Sequence, residues 1–229
     1  MQGILCTKHS IGYLPLPKVA NTSIKHTMFE LEHGERFTQA ATGAAHIHQY
    51  FRCHKAAVSE GKFRFVVVRD PIKRFLSAYA NRVVHHRELS AENIQALAIQ
   101  KKKLKIKPGK IKPDPSPGEF VDMLEQYQRI PSILVHTRPV APVVQDLALF
   151  SKVYPFEGLA ELESDLSGIV GKPVKLRHAQ TGGPKLDVSC LSAGQLEKLR
   201  LFFEEDYRLL HAFYPFERIQ REWNEKRGN

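Results

Sequence analysis

Apolar positions along this chain follow two alternating rhythms. Ile11 to Leu16 and Phe63 to Val68 are short runs of β-branched, aromatic and leucine side chains, and each reads as a strand. Phe63 to Val68 is apolar at nearly every position, as in a strand covered on both faces. Behind each strand the period becomes helical. Ile24, Met28 and Leu31 share one face of a helix over Thr22 to Glu32, which Gly34 ends. Phe75, Leu76, Tyr79 and Val83 form the apolar stripe of the next helix, with Pro71 in its first turn.

Further along, the pattern predicts helices from Ala91 to about Lys101, over Phe120 to Gln128, and over Leu159 to Val170, with Gly171 as the stop. Leu149 to Phe156 reads as a strand. Ser192 to Phe213 reads as one long amphipathic helix, opened by Ser192-x-x-Gln195 as a capping box. Strands alternating with helices predict an α/β fold with a central parallel sheet flanked by helices in three layers. At 229 residues the chain suits a single domain, 1–229. Two stretches stand outside the periodic pattern. One is a basic insertion at about 101–117, with seven lysines in the thirteen residues Lys101 to Pro113. The other is a polar tail at about 217–229, expected to fray.

Composition is ordinary, but the charge is not: a formal +10 predicts anionic partners, whether nucleotide, nucleic acid, acidic glycan or membrane surface. Three scattered cysteines, Cys6, Cys53 and Cys190, fit neither a disulfide framework nor a zinc site, and suit a reducing compartment. No apolar run approaches the roughly 20 residues needed to span a bilayer, and the N-terminus lacks the regions of a signal peptide. The expectation is a cytoplasmic protein, unless an anchor precedes this sequence.

The candidate chemistry lies at the strand ends. Leu14-Pro-Leu-Pro17-Lys18-Val19-Ala20-Asn21-Thr22-Ser23 passes from a strand through a tight loop into a helix. Backbone N–H groups and the positive end of the helix dipole favour an anion there; Lys18 adds a point charge, and Thr22 and Ser23 add donors. The alternative is an ordinary turn capped by Asn21 or Thr22. The loop lacks the glycines of a Walker A motif. At the end of the second strand, Arg69-Asp70-Pro71 supplies another cation and Ser77 a hydroxyl, or else Arg69 and Asp70 simply neutralise each other. Two anion sites on neighbouring strand ends suggest a ligand with two phosphate-like groups.

Here the chain resembles a known family. Pro17-Lys18-Val19-Ala20-Asn21-Thr22-Ser23 is similar to the 5′-phosphosulfate loop of sulfotransferases that use 3′-phosphoadenosine-5′-phosphosulfate (PAPS). Val68-Arg69-Asp70-Pro71-Ile-Lys-Arg74-Phe-Leu-Ser77-Ala-Tyr79 is similar to their 3′-phosphate motif, with Arg and Ser eight residues apart. The resemblance points to the carbohydrate group that includes the HNK-1 and heparan sulfate 2-O enzymes and their bacterial relatives. One departure is Pro139-Val140 where relatives often have Pro-Gln. The resemblance implies a P-loop-like domain that transfers a sulfuryl group from PAPS to a hydroxyl, with a glycan as the expected acceptor. Lys18 would stabilise the departing phosphate oxygen. The loop from Val19 to Ser23 would hold the 5′-phosphate, and Arg69 with Ser77 the 3′-phosphate. No metal is expected.

Transfer to a hydroxyl needs a base. Among eleven histidines, His46 and His48 lie between the two cofactor motifs, in Ala45-His46-Ile-His48-Gln-Tyr50. On a strand their i, i+2 spacing puts both on one face. The heparan 2-O enzymes have a similar His-x-His in that interval, which favours His48 as base with His46 as partner. The other readings are a structural pair, or a metal site with His54. His136 is the runner-up base or an acceptor contact, or else a satisfied strand-end histidine, and Arg138 is a candidate acceptor contact. In relatives a loop at the place of Ala179 to Lys185 closes over the nucleotide, which nominates Lys185; a plain turn is the alternative. The Lys101 to Lys112 run reads as a solvated loop or as a clamp for an anionic polymer. Two other functions stay open: an ATP-dependent kinase-like phosphotransferase, and a non-catalytic polyanion-binding protein.

Overall fold

A computed structural model describes residues 1–100, 111–177 and 182–227, with only the backbone of 97–100. The chain divides into two compact units, Met1–Arg69 with Pro142–Gln180, and Asp70–Ala141 with Thr181–Asn229. The bulk of the predicted lysine run, residues 101–110, lies outside the described residues, as do 179–181 of the predicted nucleotide-closing loop.

The first unit holds a five-stranded sheet. In chain order its strands are β1 (Gln2–Cys6), β2 (Ile11–Leu14), β3 (Ala56–Ala57), β4 (Phe63–Val68) and β5 (Lys152–Pro155), and in space they run β3-β1-β2-β4-β5. β2, β4 and β5 are parallel, with Tyr13 beside Phe65 and Val67 beside Tyr154. β1 is antiparallel to both β2 and β3. The expected central parallel sheet is present as β2, β4 and β5, within a sheet that is mixed as a whole. A hairpin precedes the parallel core, turning at Thr7 to Ser10, where Ser10 has φ 53°. Glu32 accepts from the Thr7 hydroxyl (2.5 Å) and the Lys8 amide (3.2 Å), which fastens that turn to the first helix.

Tyr13, Phe65, Val66 and Val67 are fully buried, as the apolar runs predicted. Helix α1 (Asn21–His33) ends at Gly34, whose φ of 76° suits a residue without a Cβ. Helices α2 (Gln39–Thr42) and α3 (Ile47–Cys53) follow, and α3 contacts α1. The predicted helix at 159–170 is present and contacts β5.

The second unit is helical. Helix α4 (Pro71–Tyr79) starts at Asp70, whose carboxylate accepts from the Lys73 amide at 2.9 Å, and it runs on into a π-helical turn, Ala80–His85. Phe75, Phe120, Tyr127 and Phe203 build an aromatic core around it. Ser116/Glu119 and Ser192/Gln195 form reciprocal capping boxes, the second as expected from sequence. The long helix foreseen over Ser192 to Phe213 is two, Ala193–Phe202 and Glu204–Leu209. Helical bonds cross the break, from the Phe203 amide to Leu199 and from the Tyr207 amide to Phe203, each 2.9 Å. The apolar rhythm thus continues through a local distortion at Phe203. The tail is helical rather than frayed (Phe216–Arg227): Ile219 is buried, the Trp223 indole donates to the Leu191 carbonyl (2.9 Å), and Glu222 pairs with Lys73 (2.6 Å). Among the described residues no helix is long and apolar enough to cross a membrane.

Gly182 and Gly183 lie against the π-helical turn. Gly183 has φ 92°, and a Cβ there would come within 2.1 Å of the Ala80 carbonyl oxygen. Gly183→Ala is expected to destabilise the protein by about 1–3 kcal/mol through the backbone alone, with the clash adding to it. Urea unfolding checks this; an unchanged midpoint would remove the close approach as a constraint.

Candidate active site

The chain leaves β2 through Pro15-Leu16-Pro17 and enters α1 by a backbone of unusual handedness. Lys18 has φ 67° and Ala20 has φ 60°. Left-handed geometry at a residue with a Cβ costs on the order of 1–3 kcal/mol and collects at functional sites. Val19 between them is fully buried and anchors the loop. Ala20 is the N-cap of α1 and no side chain caps it. The two residues that could have done so are engaged elsewhere. Asn21 Oδ1 accepts from the Tyr13 hydroxyl at 3.3 Å, and Thr22 Oγ1 bonds His48 Nε2 at 3.0 Å. The alternative of an ordinary capped turn is therefore overturned. The first-turn N–H groups of α1 lack helical acceptors, the first turn carries no acidic residue, and a turn of this handedness gathers N–H groups into an anion-binding concavity.

Arg69 follows β4 and reaches this loop: its Nη1 donates to the Lys18 carbonyl at 3.3 Å. Its guanidinium carbon sits 4.5 Å from the ring centroid of Phe156, which follows β5. The carboxyl ends of β2, β4 and β5 thus converge on Lys18, Arg69 and Phe156, the edge at which open parallel sheets present ligand sites.

His46 and His48 are not on a strand. His46 is the N-cap of α3, and its Nδ1 accepts the His48 amide at 3.2 Å. The two rings stack with centroids 4.9 Å apart. The i, i+2 pattern that suggested a strand is instead a cap and the second residue of a helix, with Ile47 and Phe51 buried at i, i+4 spacing. His48 still reaches the phosphate loop: besides Thr22, its Nδ1 lies 3.0 Å from Lys25 Nζ. Lys25 is only 9% exposed. Burial, with the nearby Arg52 charge, lowers its ammonium pKa to about 8. In place of joining a metal trio, His54 Nδ1 donates to the Tyr50 carbonyl at 2.8 Å.

The remaining sequence candidates belong to the second unit. Ser77 is half-buried on α4 and Lys185 is exposed after Gly183. His136 ends the Pro131–Thr137 helix, and its Nδ1 donates to the Ser132 carbonyl at 2.7 Å. The carbonyls of His136 and Arg138 accept from Arg74 at 3.2 and 2.7 Å. Asp70 accepts from the Tyr207 hydroxyl at 3.4 Å as well as capping α4, and burial pushes its carboxyl pKa up. Sequence reasoning passed over Lys25 and Phe156. The one signal for Lys25 was its place three residues beyond Thr22, on the same helical face. Phe156 carried no signal beyond its place after a strand.

A model of the sulfotransferase family matches residues 2–214 of the chain. No individual curated protein matches it, and no solved structure does.

Proposed function

Because this chain belongs to the sulfotransferase family, a family of sulfuryl-transferring enzymes, we propose that it takes the sulfuryl group from PAPS and delivers it to a hydroxyl on a carbohydrate. The observation that carries the donor assignment is the start of α1, with no side-chain cap and left-handed residues at Lys18 and Ala20. Those features fit a phosphate-bearing ligand, because backbone N–H groups gathered at a helix start are a ready anion site. PAPS supplies an activated sulfuryl group bound through an oxygen to its 5′-phosphate.

The chain's residues then divide the work. The N–H groups of Val19 to Ser23 hold the 5′-phosphate. Lys18 stabilises charge on the oxygen left behind by the sulfuryl group, an interaction strongest at the transition state. Arg69 grips the 3′-phosphate; the resemblance of the motifs, rather than the geometry, assigns Ser77 as a further donor and Lys185 as a nucleotide contact. His48 takes the proton of the attacking hydroxyl, with His46 stacked on it. His136 and Arg138 contact the acceptor. Holding both reactants in line provides much of the acceleration. The carboxylate ligands a Mg-nucleotide site would need are not part of this assignment, and the kinase-like reading gains no observation.

Calorimetric titration decides between nucleotides. 3′-Phosphoadenosine-5′-phosphate is expected to bind in preference to ATP with Mg. Arg69→Ala should weaken that binding by about 10- to 100-fold, the loss of a charge-assisted hydrogen-bond pair. Preference for ATP would sink the reading, and unchanged affinity in Arg69→Ala would remove that residue's role.

A further inference from the structure

His48 is held at both ring nitrogens by one face of α1. Thr22 Oγ1 lies 3.0 Å from Nε2, and Lys25 Nζ lies 3.0 Å from Nδ1. An ammonium can only donate. While Lys25 is charged, Nδ1 must therefore be bare, the ring hydrogen sits on Nε2, and Nε2 donates toward Thr22. In that state Nε2 cannot take a proton. A neutral amine, which gains a lone pair while keeping N–H donors, permits the reverse arrangement. Its lone pair accepts Nδ1–H, and Nε2 presents its own lone pair on the side of Thr22. A carboxylate in the place of Lys25 would fix the Nδ1–H form at every working pH; a lysine makes the choice reversible.

We propose that Lys25 is the proton-holding partner of His48, selecting its tautomer and receiving through the imidazole the proton released by the attacking hydroxyl. The hydroxyl O–H bond breaks as Nε2–H forms, and Nδ1–H breaks as a third N–H forms on Lys25. The imidazole ends neutral and the positive charge rests on Lys25. Lys25 is thus a positioning residue, acting through His48. The identity of the hydroxyl rests on the sulfotransferase reading; the coupling between Lys25 and His48 does not.

The surroundings suit this. Among the described residues, the groups near the pair include Arg52 from α3 and His46 from its cap; on α1, the pKa of His26 is lowered by burial and then by Arg177 and His46. Burial and Arg52 hold Lys25 at about 8, so the amine is accessible near neutral pH.

The test is nitrogen-15 NMR of the imidazoles in the full chain, over roughly pH 6 to 9.5, so as to pass the ordinary histidine value of about 6.5. His48 is expected to change from the Nε2–H to the Nδ1–H form with a midpoint near pH 8, and the change should vanish in Lys25→Met. The acid limb of the turnover profile should sit near pH 8 and move to lower pH in Lys25→Met, where the amine no longer sets it. Lys25→Arg, charged throughout, should lose about 10²-fold at every pH. A wild-type His48 that keeps one tautomer across the range, or a Lys25→Met profile with its limb unmoved, overturns the proposal. The wild-type spectrum decides even where a variant fails to fold. A tautomer change in a chain that transfers nothing upholds the coupling and sinks the enzymatic reading; transfer without the change does the reverse.

Discussion

Lys18→Ala is expected to abolish most sulfuryl transfer while leaving the protein as stable as its parent. Lys18 sits in a left-handed turn, where alanine meets the same penalty, so the backbone has little to lose. Turnover has much to lose. The oxygen released by sulfur gathers negative charge only as the bond breaks, and a cation placed for that moment acts on kcat more than on KM. Removing one such stabilising donor costs about 10²–10³-fold in kcat, and a full positive charge belongs at the upper end. The comparison needs kcat and KM for both proteins, the affinity for 3′-phosphoadenosine-5′-phosphate, and the thermal midpoint. A variant that keeps a third of its turnover would remove Lys18 from the mechanism. One that loses turnover along with its thermal midpoint would show the loop to be structural.

The largest effect on stability is expected from Asp206→Ala. Asp206 is 0% exposed and Arg74 is 1% exposed, with 3.7 Å between carboxylate and guanidinium. Asp206 also accepts the amides of Val140 (2.8 Å) and Ala141 (2.7 Å), while Arg74 donates to the carbonyls of His136 and Arg138. One buried pair thereby fixes both strands of backbone through the His136 to Ala141 turn. Removing the carboxylate takes a buried counter-charge from Arg74 and strands two amides, at a cost of about 3–5 kcal/mol. Replacing both partners with apolar side chains of similar volume should recover part of that loss, because two desolvation costs disappear together. Urea denaturation of the single and double variants checks this. A loss below about 1 kcal/mol in Asp206→Ala would put the pair among ordinary surface-like bridges.

The parts of the fold that were legible are those where local chemistry and packing agree. β4 is a continuous apolar run and is buried as such. Pro71 behind Asp70 announced the start of α4, and Ser192 with Gln195 the capping box. The missed hairpin strand β1 is only five residues long and carries Gly3, so its sequence has little alternation to read. Its place in the sheet comes from pairing with β2 and β3 rather than from its own preference. The histidine pair failed for a different reason. His-Ile-His alternates like a strand, and the competing helical signal, Ile47 with Phe51, spans a single turn. Short segments carry both periods at once, and tertiary contact chooses. At the site, the loop, Lys18 and Arg69 stood out because phosphate recognition uses few residue types at tight spacing. Lys25 did not, because a lysine on an amphipathic helix is ordinarily a solvated one; only its burial and its contact with Nδ1 of His48 set it apart.

The start of α1 has a consequence for anyone handling this protein. Most helices complete their first turn with a serine or aspartate of their own, a contribution of about 1 kcal/mol. Here no side chain does so, and on the proposed reading the task falls to a bound oxyanion. Melting temperature should therefore climb with sulfate or phosphate in the buffer, well before any nucleotide is added. The same salts will compete with the nucleotide in binding assays, so affinities measured in phosphate-buffered saline will understate the true grip of the loop.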